Sequence, residues 1–90
     1  MKIVTTSLYE EQLKEILSFL AQKNYEETKK FKIYLDTILI NIPTKDKKYK
    51  KSIYFENENI KDVEYQGCTV IFYVDKKNDT YIILGITIKN

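Results

Sequence analysis

Cys68-Thr69-Val70-Ile71-Phe72-Tyr73-Val74-Asp75, then Lys76 to Asp79, then Thr80-Tyr81-Ile82-Ile83-Leu84-Gly85-Ile86-Thr87-Ile88-Lys89: this stretch decides how the 90-residue chain folds. Two runs rich in β-branched and aromatic residues are separated by four polar ones, which reads as two strands joined by a short loop. Alternation in them is weak. Val70, Phe72 and Val74 stand against Ile71 and Tyr73, and Ile82, Leu84, Ile86 and Ile88 stand against Ile83. Strands apolar on both sides are either covered on both faces or covered on one and awaiting a partner on the other. Just upstream, Lys61 to Tyr65 reads as a further strand, and Gln66-Gly67 is short enough for a tight hairpin with glycine at positive φ. A fourth segment, Ser52 to Phe55, has strand-like composition, followed by the turn cluster Asn57-Glu58-Asn59.

The N-terminal half has the other periodicity. After a short strand at Lys2 to Thr5, Ser7 with Glu10 three residues later has the form of a capping box, so a helix is expected from near Leu8. Leu13, Ile16, Leu17 and Leu20 recur at i, i+3, i+4 and i+7 and form one stripe. Asn24, with Glu27 behind it, caps a second helix whose stripe is Phe31, Tyr34, Leu35, Ile38 and Leu39. Pro43 stops that helix, because it cannot donate to the ladder and turns Ile42 away from helical angles. A link of a few residues makes the two helices an antiparallel hairpin. The fold expected is therefore α+β: an N-terminal strand and an antiparallel helix hairpin, packed on one face of a small, mainly antiparallel twisted sheet.

Ninety residues with 43% apolar content make a single domain spanning residues 1–90, large enough for one core. One cysteine, Cys68, excludes an internal disulfide and points to a reducing compartment. No signal-peptide-like run opens the chain, and no stretch approaches the ~18 apolar residues of a membrane span, so a cytoplasmic protein with no membrane partner is expected. The net charge of +2 is small, but its distribution is uneven. Lys45, Lys47, Lys48, Lys50 and Lys51 crowd one tract against Asp46, and Glu56, Glu58, Asp62 and Glu64 follow against Lys61. All fifteen cations are lysines; arginine and histidine are absent. The chain thus lacks both the bidentate phosphate fork and the side chain best suited to proton transfer near neutrality.

Lys47, Lys48, Lys50 and Lys51, interleaved with Tyr49 and Tyr54, fit a tract that follows a phosphate backbone while a ring stacks on a base. They fit equally a solvated loop that keeps a strand edge from pairing. Tyr65, Tyr73 and Tyr81 form either an open aromatic platform or ordinary cover for a half-buried sheet. Metal chemistry is poorly supported: the acids do not have calcium-loop spacing, and Gly67 and Gly85 alone make no phosphate loop. Neither a metal nor any other cofactor is expected.

In the order of its elements the chain resembles the RelE/ParE superfamily of bacterial toxins. The resemblance rests on Thr5-Thr6-Ser7-Leu8-Tyr9-Glu10-Glu11-Gln12-Leu13-Lys14-Glu15-Ile16, on Phe31…Leu35…Ile38…Ile42-Pro43, and on Ile60-Lys61-Asp62-Val63…Gly67…Val70-Ile71-Phe72-Tyr73-Val74-Asp75 with Thr80-Tyr81-Ile82-Ile83-Leu84-Gly85-Ile86. It implies the toxin half of a toxin–antitoxin pair of the plasmid-stabilising, growth-inhibiting kind, neutralised by an antitoxin that wraps it. The implied target is DNA gyrase for the ParE branch, or ribosome-bound mRNA for the nuclease branch. Lys61 and Thr69 stand where nucleases of the family commonly carry arginines, Phe72 replaces a frequent tyrosine, and Ile88 stands near the place of a terminal histidine. Gyrase inhibition without catalysis is therefore slightly favoured over mRNA cleavage, and a non-toxic interaction domain is a further alternative. A nuclease would draw its cations from Lys48, Lys50, Lys51 and Lys61 and its acid–base groups from Tyr54, Tyr65, Glu56 or Glu58. As a binding surface, Lys47, Lys51, Lys61, Tyr73, Tyr81, Ile88 and Lys89 are expected.

Overall fold

The computed structural model describes residues 1–88. Its elements are β1 (Lys2–Thr5), α1 (Ser7–Lys23), α2 (Tyr25–Ile40), the short α3 (Ile42–Lys45), a 3-10 turn (Asp46–Lys48), β2 (Ile60–Tyr65), β3 (Cys68–Asp75) and β4 (Thr80–Ile88). The α+β class expected from the sequence is what the chain adopts. Four strands form one mixed sheet in the order β1-β4-β3-β2, with β1 parallel to β4 and the other pairs antiparallel.

Helix α1 begins one residue earlier than its sequence signals. Thr6, not Ser7, is the N-cap: its Oγ1 accepts from the Tyr9 N–H at 3.0 Å, while its own hydroxyl donates to the Leu84 carbonyl at 3.0 Å. Thr6 thus satisfies an orphan helix donor and ties the helix start to β4. Asn24 caps α2 as expected, its Oδ1 accepting from the Glu27 N–H at 3.0 Å. Helix α2 ends before Pro43 as expected, but Ile42 is not turned away from helical angles: Ile42 and Pro43 open the short α3, where the missing N–H of proline costs nothing.

One core joins helices and sheet. Tyr9, Leu13 and Ile16 of α1 and Phe31, Leu35 and Leu39 of α2 are buried with Val63, Val70, Phe72, Val74, Ile83 and Ile86. Leu17, Leu20 and Ile38 pack at its margin. Tyr34 departs from the expected stripe and is exposed: Thr28, Phe31, Leu35 and Leu39 are the residues of α2 that turn inward. Ile71, Tyr73, Ile82 and Leu84 lie on the opposite face of the sheet and are only half-buried.

The expected pairing of Ile86 with Leu84 on one face fails because β4 carries a bulge. Phe72 pairs with Ile83 and Ile71 with Gly85, so Leu84 is the extra residue and the alternation beyond it is inverted. Ile86 therefore joins Ile83 in the core. The β2–β3 turn has two residues, with φ of 47° at Gln66 and 80° at Gly67, as a type I′ hairpin needs.

Ser52 to Phe55 is not a strand. Lys51 makes a single bridge to Lys61, and the Ser52 N–H donates to the Ile60 carbonyl at 2.7 Å. Beyond that, polar side chains take the backbone donors that a ladder would need. Asp62 Oδ2 accepts from the Ile53 N–H at 3.1 Å, and Ser52 Oγ accepts from the Tyr54 N–H at 3.1 Å. The segment turns away from the edge, leaving Ile53, Tyr54 and Phe55 exposed. No helix among the described residues is long and apolar enough to cross a membrane.

Candidate functional site

Three segments distant in sequence meet at the end of the sheet that holds the β3–β4 loop. The start of β2 lies there because the Val74 N–H donates to the Asn59 carbonyl at 2.8 Å. The 3-10 turn is drawn to the same end by Asp46. Its backbone carbonyl accepts from Lys61 Nζ at 2.7 Å, and its Oδ2 accepts from the Tyr81 hydroxyl at 3.1 Å. Between these elements is a cleft of about 410 Å³ lined by Asp46, Tyr49, Lys51, Glu58, Asn59, Lys61, Val74 and Lys76. Tyr49 forms its wall, edge-on to Phe72 with ring centroids 5.9 Å apart.

Of the residues singled out from the sequence, the cleft unites Lys51 and Lys61. Lys47, Lys48 and Lys50 are exposed on the turn and the connection beyond it, and do not line the cleft. Lys51 Nζ lies 3.5 Å from a fully exposed Glu56 carboxylate, a contact that solvent weakens. The three strand tyrosines do not make one platform. Tyr65 and Tyr81 belong to the helix-covered face, Tyr73 to the other. Tyr54 is half exposed on the irregular loop, Ile88 is exposed at the end of β4, and Lys89 lies outside the described residues.

Two strand tyrosines, Tyr81 at this end and Tyr65 at the opposite end of β2, have settled protons. Burial, with the bond to Asp46, raises the Tyr81 hydroxyl above its usual range. Burial first, then the neighbouring Tyr34 and Cys68, raises that of Tyr65, which donates to the Phe31 carbonyl at 3.2 Å. A phenol held neutral and already donating is a poor base at neutral pH. Among the described residues no three histidine, cysteine, aspartate or glutamate side chains are grouped to hold a metal.

Sequence reading placed Tyr49 beside Lys51 but missed Asp46, Asn59 and Lys76 as members of the same site. The signal for Lys76 was available: an antiparallel β2–β3–β4 meander puts the β3–β4 loop beside the start of β2. Asp46 carried no such signal, since only the fold brings Tyr81 and Lys61 to it.

Two apolar surfaces accompany the cleft. A groove of about 800 Å³ lies between α1 and α2, with Leu13, Leu17, Ala21, Tyr25 and Ile33 as its apolar lining. Glu10, Glu11 and Lys14 edge it on α1, Lys29 and Lys32 on α2. The second surface is the sheet face away from the helices, where Val4, Ile71, Tyr73, Ile82 and Leu84 lie and where Phe55 adjoins Ile71 and Leu84. Compared with the models of known protein families and with curated proteins, the sequence matches none.

Proposed function

We propose that the chain is the toxin half of a toxin–antitoxin pair that acts by binding a macromolecular target, as ParE-like inhibitors of DNA gyrase do. The observation that carries the reading is the apolar groove between α1 and α2. The groove's apolar lining and charged edges suit an amphipathic antitoxin helix, anchored by apolar residues at helical spacing. The uncovered sheet face is the surface left for the target. Binding is favoured over mRNA cleavage because the chain has no arginine or histidine, and Tyr65 and Tyr81 are held neutral and already donating.

The test is tightly controlled expression in bacterial cells without a partner. The proposal expects growth arrest with DNA breaks and intact messages. Arrest with cleaved ribosome-bound mRNA would replace it by the nuclease reading. Normal growth with abundant folded protein would leave a non-toxic interaction domain.

A further inference from the structure

We infer that the cleft at the β3–β4 end binds a small anion bearing two or more phosphate groups, held by Lys51, Lys61 and Lys76. A run of lysines in one segment is ordinarily a solvated face. Here the three lysines come instead from the end of the lysine tract, from β2 and from the β3–β4 loop, and line one concave, polar space. Lys61 is positioned rather than neutralised. It spends one donor on the Asp46 carbonyl, leaving two of its three for a ligand. The Asp46 carboxylate accepts the Tyr81 hydroxyl, so that acid has a partner within the protein.

Charge and size decide the class. Three lysines and two acids, Asp46 and Glu58, line the cleft, a balance of one positive charge. The surplus sets the sign of the ligand, an anion, and the size of the cleft sets its class. At roughly 30 Å³ per water, 410 Å³ holds about a dozen waters, more than one orthophosphate displaces. Lysine ammoniums are point charges that need no planar fork, which suits tetrahedral phosphate.

Pyrophosphate titrated into the full chain at low salt, followed by calorimetry and by amide chemical shifts, tests the site. Saturable binding is expected, with shifts at Asn59, Lys61 and Lys76, and added salt should weaken it. Lys76→Ala should weaken binding by about tenfold, and Glu58→Gln should strengthen it. Lys47→Ala, outside the cleft, should leave it unchanged. Lys61→Ala removes an internal anchor as well, so the exposed Lys76 and Glu58 variants decide the matter, with unchanged melting curves as the fold control. The site is overturned by absence of saturation at millimolar pyrophosphate, or by Lys76→Ala and Glu58→Gln without effect. It is equally overturned by Lys47→Ala weakening binding as much as Lys76→Ala, or by an oligonucleotide that binds where pyrophosphate does not compete. This inference is separate from the toxin reading: arrest without pyrophosphate binding overturns only the anion site, and binding without arrest only the toxin proposal.

Discussion

Tyr9 is the most deeply placed tyrosine, 1% exposed, and its hydroxyl oxygen has no hydrogen-bond partner within the protein. Burial, with Asp36 and Glu10 nearby, drives its pKa far upward. Leaving a buried hydroxyl unpaired costs about 1–3 kcal/mol, whereas phenylalanine fills nearly the same volume. Tyr9→Phe should therefore match or exceed the wild-type stability, by up to about 1 kcal/mol in denaturant unfolding. Tyr9, Tyr65 and Tyr81 are all raised above the usual 10.0 and Cys68 above 9.0, each chiefly by burial. The folded chain holds these protons to higher pH than the unfolded chain does. Their contribution to stability is thus complete below pH 9 and declines as pH rises through the folded values. Denaturation midpoints should be level near neutrality and fall above about pH 10, less steeply in a Tyr9→Phe variant.

At the scale of elements, both helices and four of the five expected strands were readable at nearly their true bounds, because their periodicities are local. β4 was readable to within a residue of its described end. Ser52 to Phe55 was misread because its apolar residues resemble a strand while the deciding groups, Asp62 and Ser52 Oγ, act through tertiary contacts. The bulge in β4 was equally hidden. A contact from α1 meets it there: Gln12 Oε1 accepts from the Ile86 N–H at 2.9 Å and approaches Gly85 so closely that an added Cβ would stand 2.7 Å from it. Gly85→Ala should then displace Gln12 and cost about 1–3 kcal/mol. Gln12→Ala loses the bond to Ile86 but vacates that space, so the double variant should be more stable than the two single losses added together. A double-mutant cycle measures that difference, which should be at least about 0.5 kcal/mol.

For the molecule as a whole, the layout follows from where its two periodicities fall. Helical spacing precedes most of the strands, so the hairpin of α1 and α2 shares one core with one face of the sheet, and the other face stays half-exposed. The sequence announced that imbalance through strands apolar on both sides. It announced the cleft only in part: the meander sets Lys76 beside the start of β2, whereas Asp46 and Lys51 join them only through the fold. If the bare face meets the target, Tyr73→Ala and Ile82→Asp should relieve growth arrest without loss of fold, since neither residue belongs to the buried core. If the groove receives the antitoxin, Ala21→Glu should preserve arrest and abolish rescue by the partner.

Growth rate on expression of the isolated chain, measured beside Ile82→Asp at equal soluble abundance, addresses the binding-toxin proposal most directly. The expected result is arrest by the wild type, with transcripts intact, and recovery of growth in the variant. Unimpaired growth with abundant wild-type protein, or arrest that Ile82→Asp leaves untouched while transcripts are cut, would contradict it.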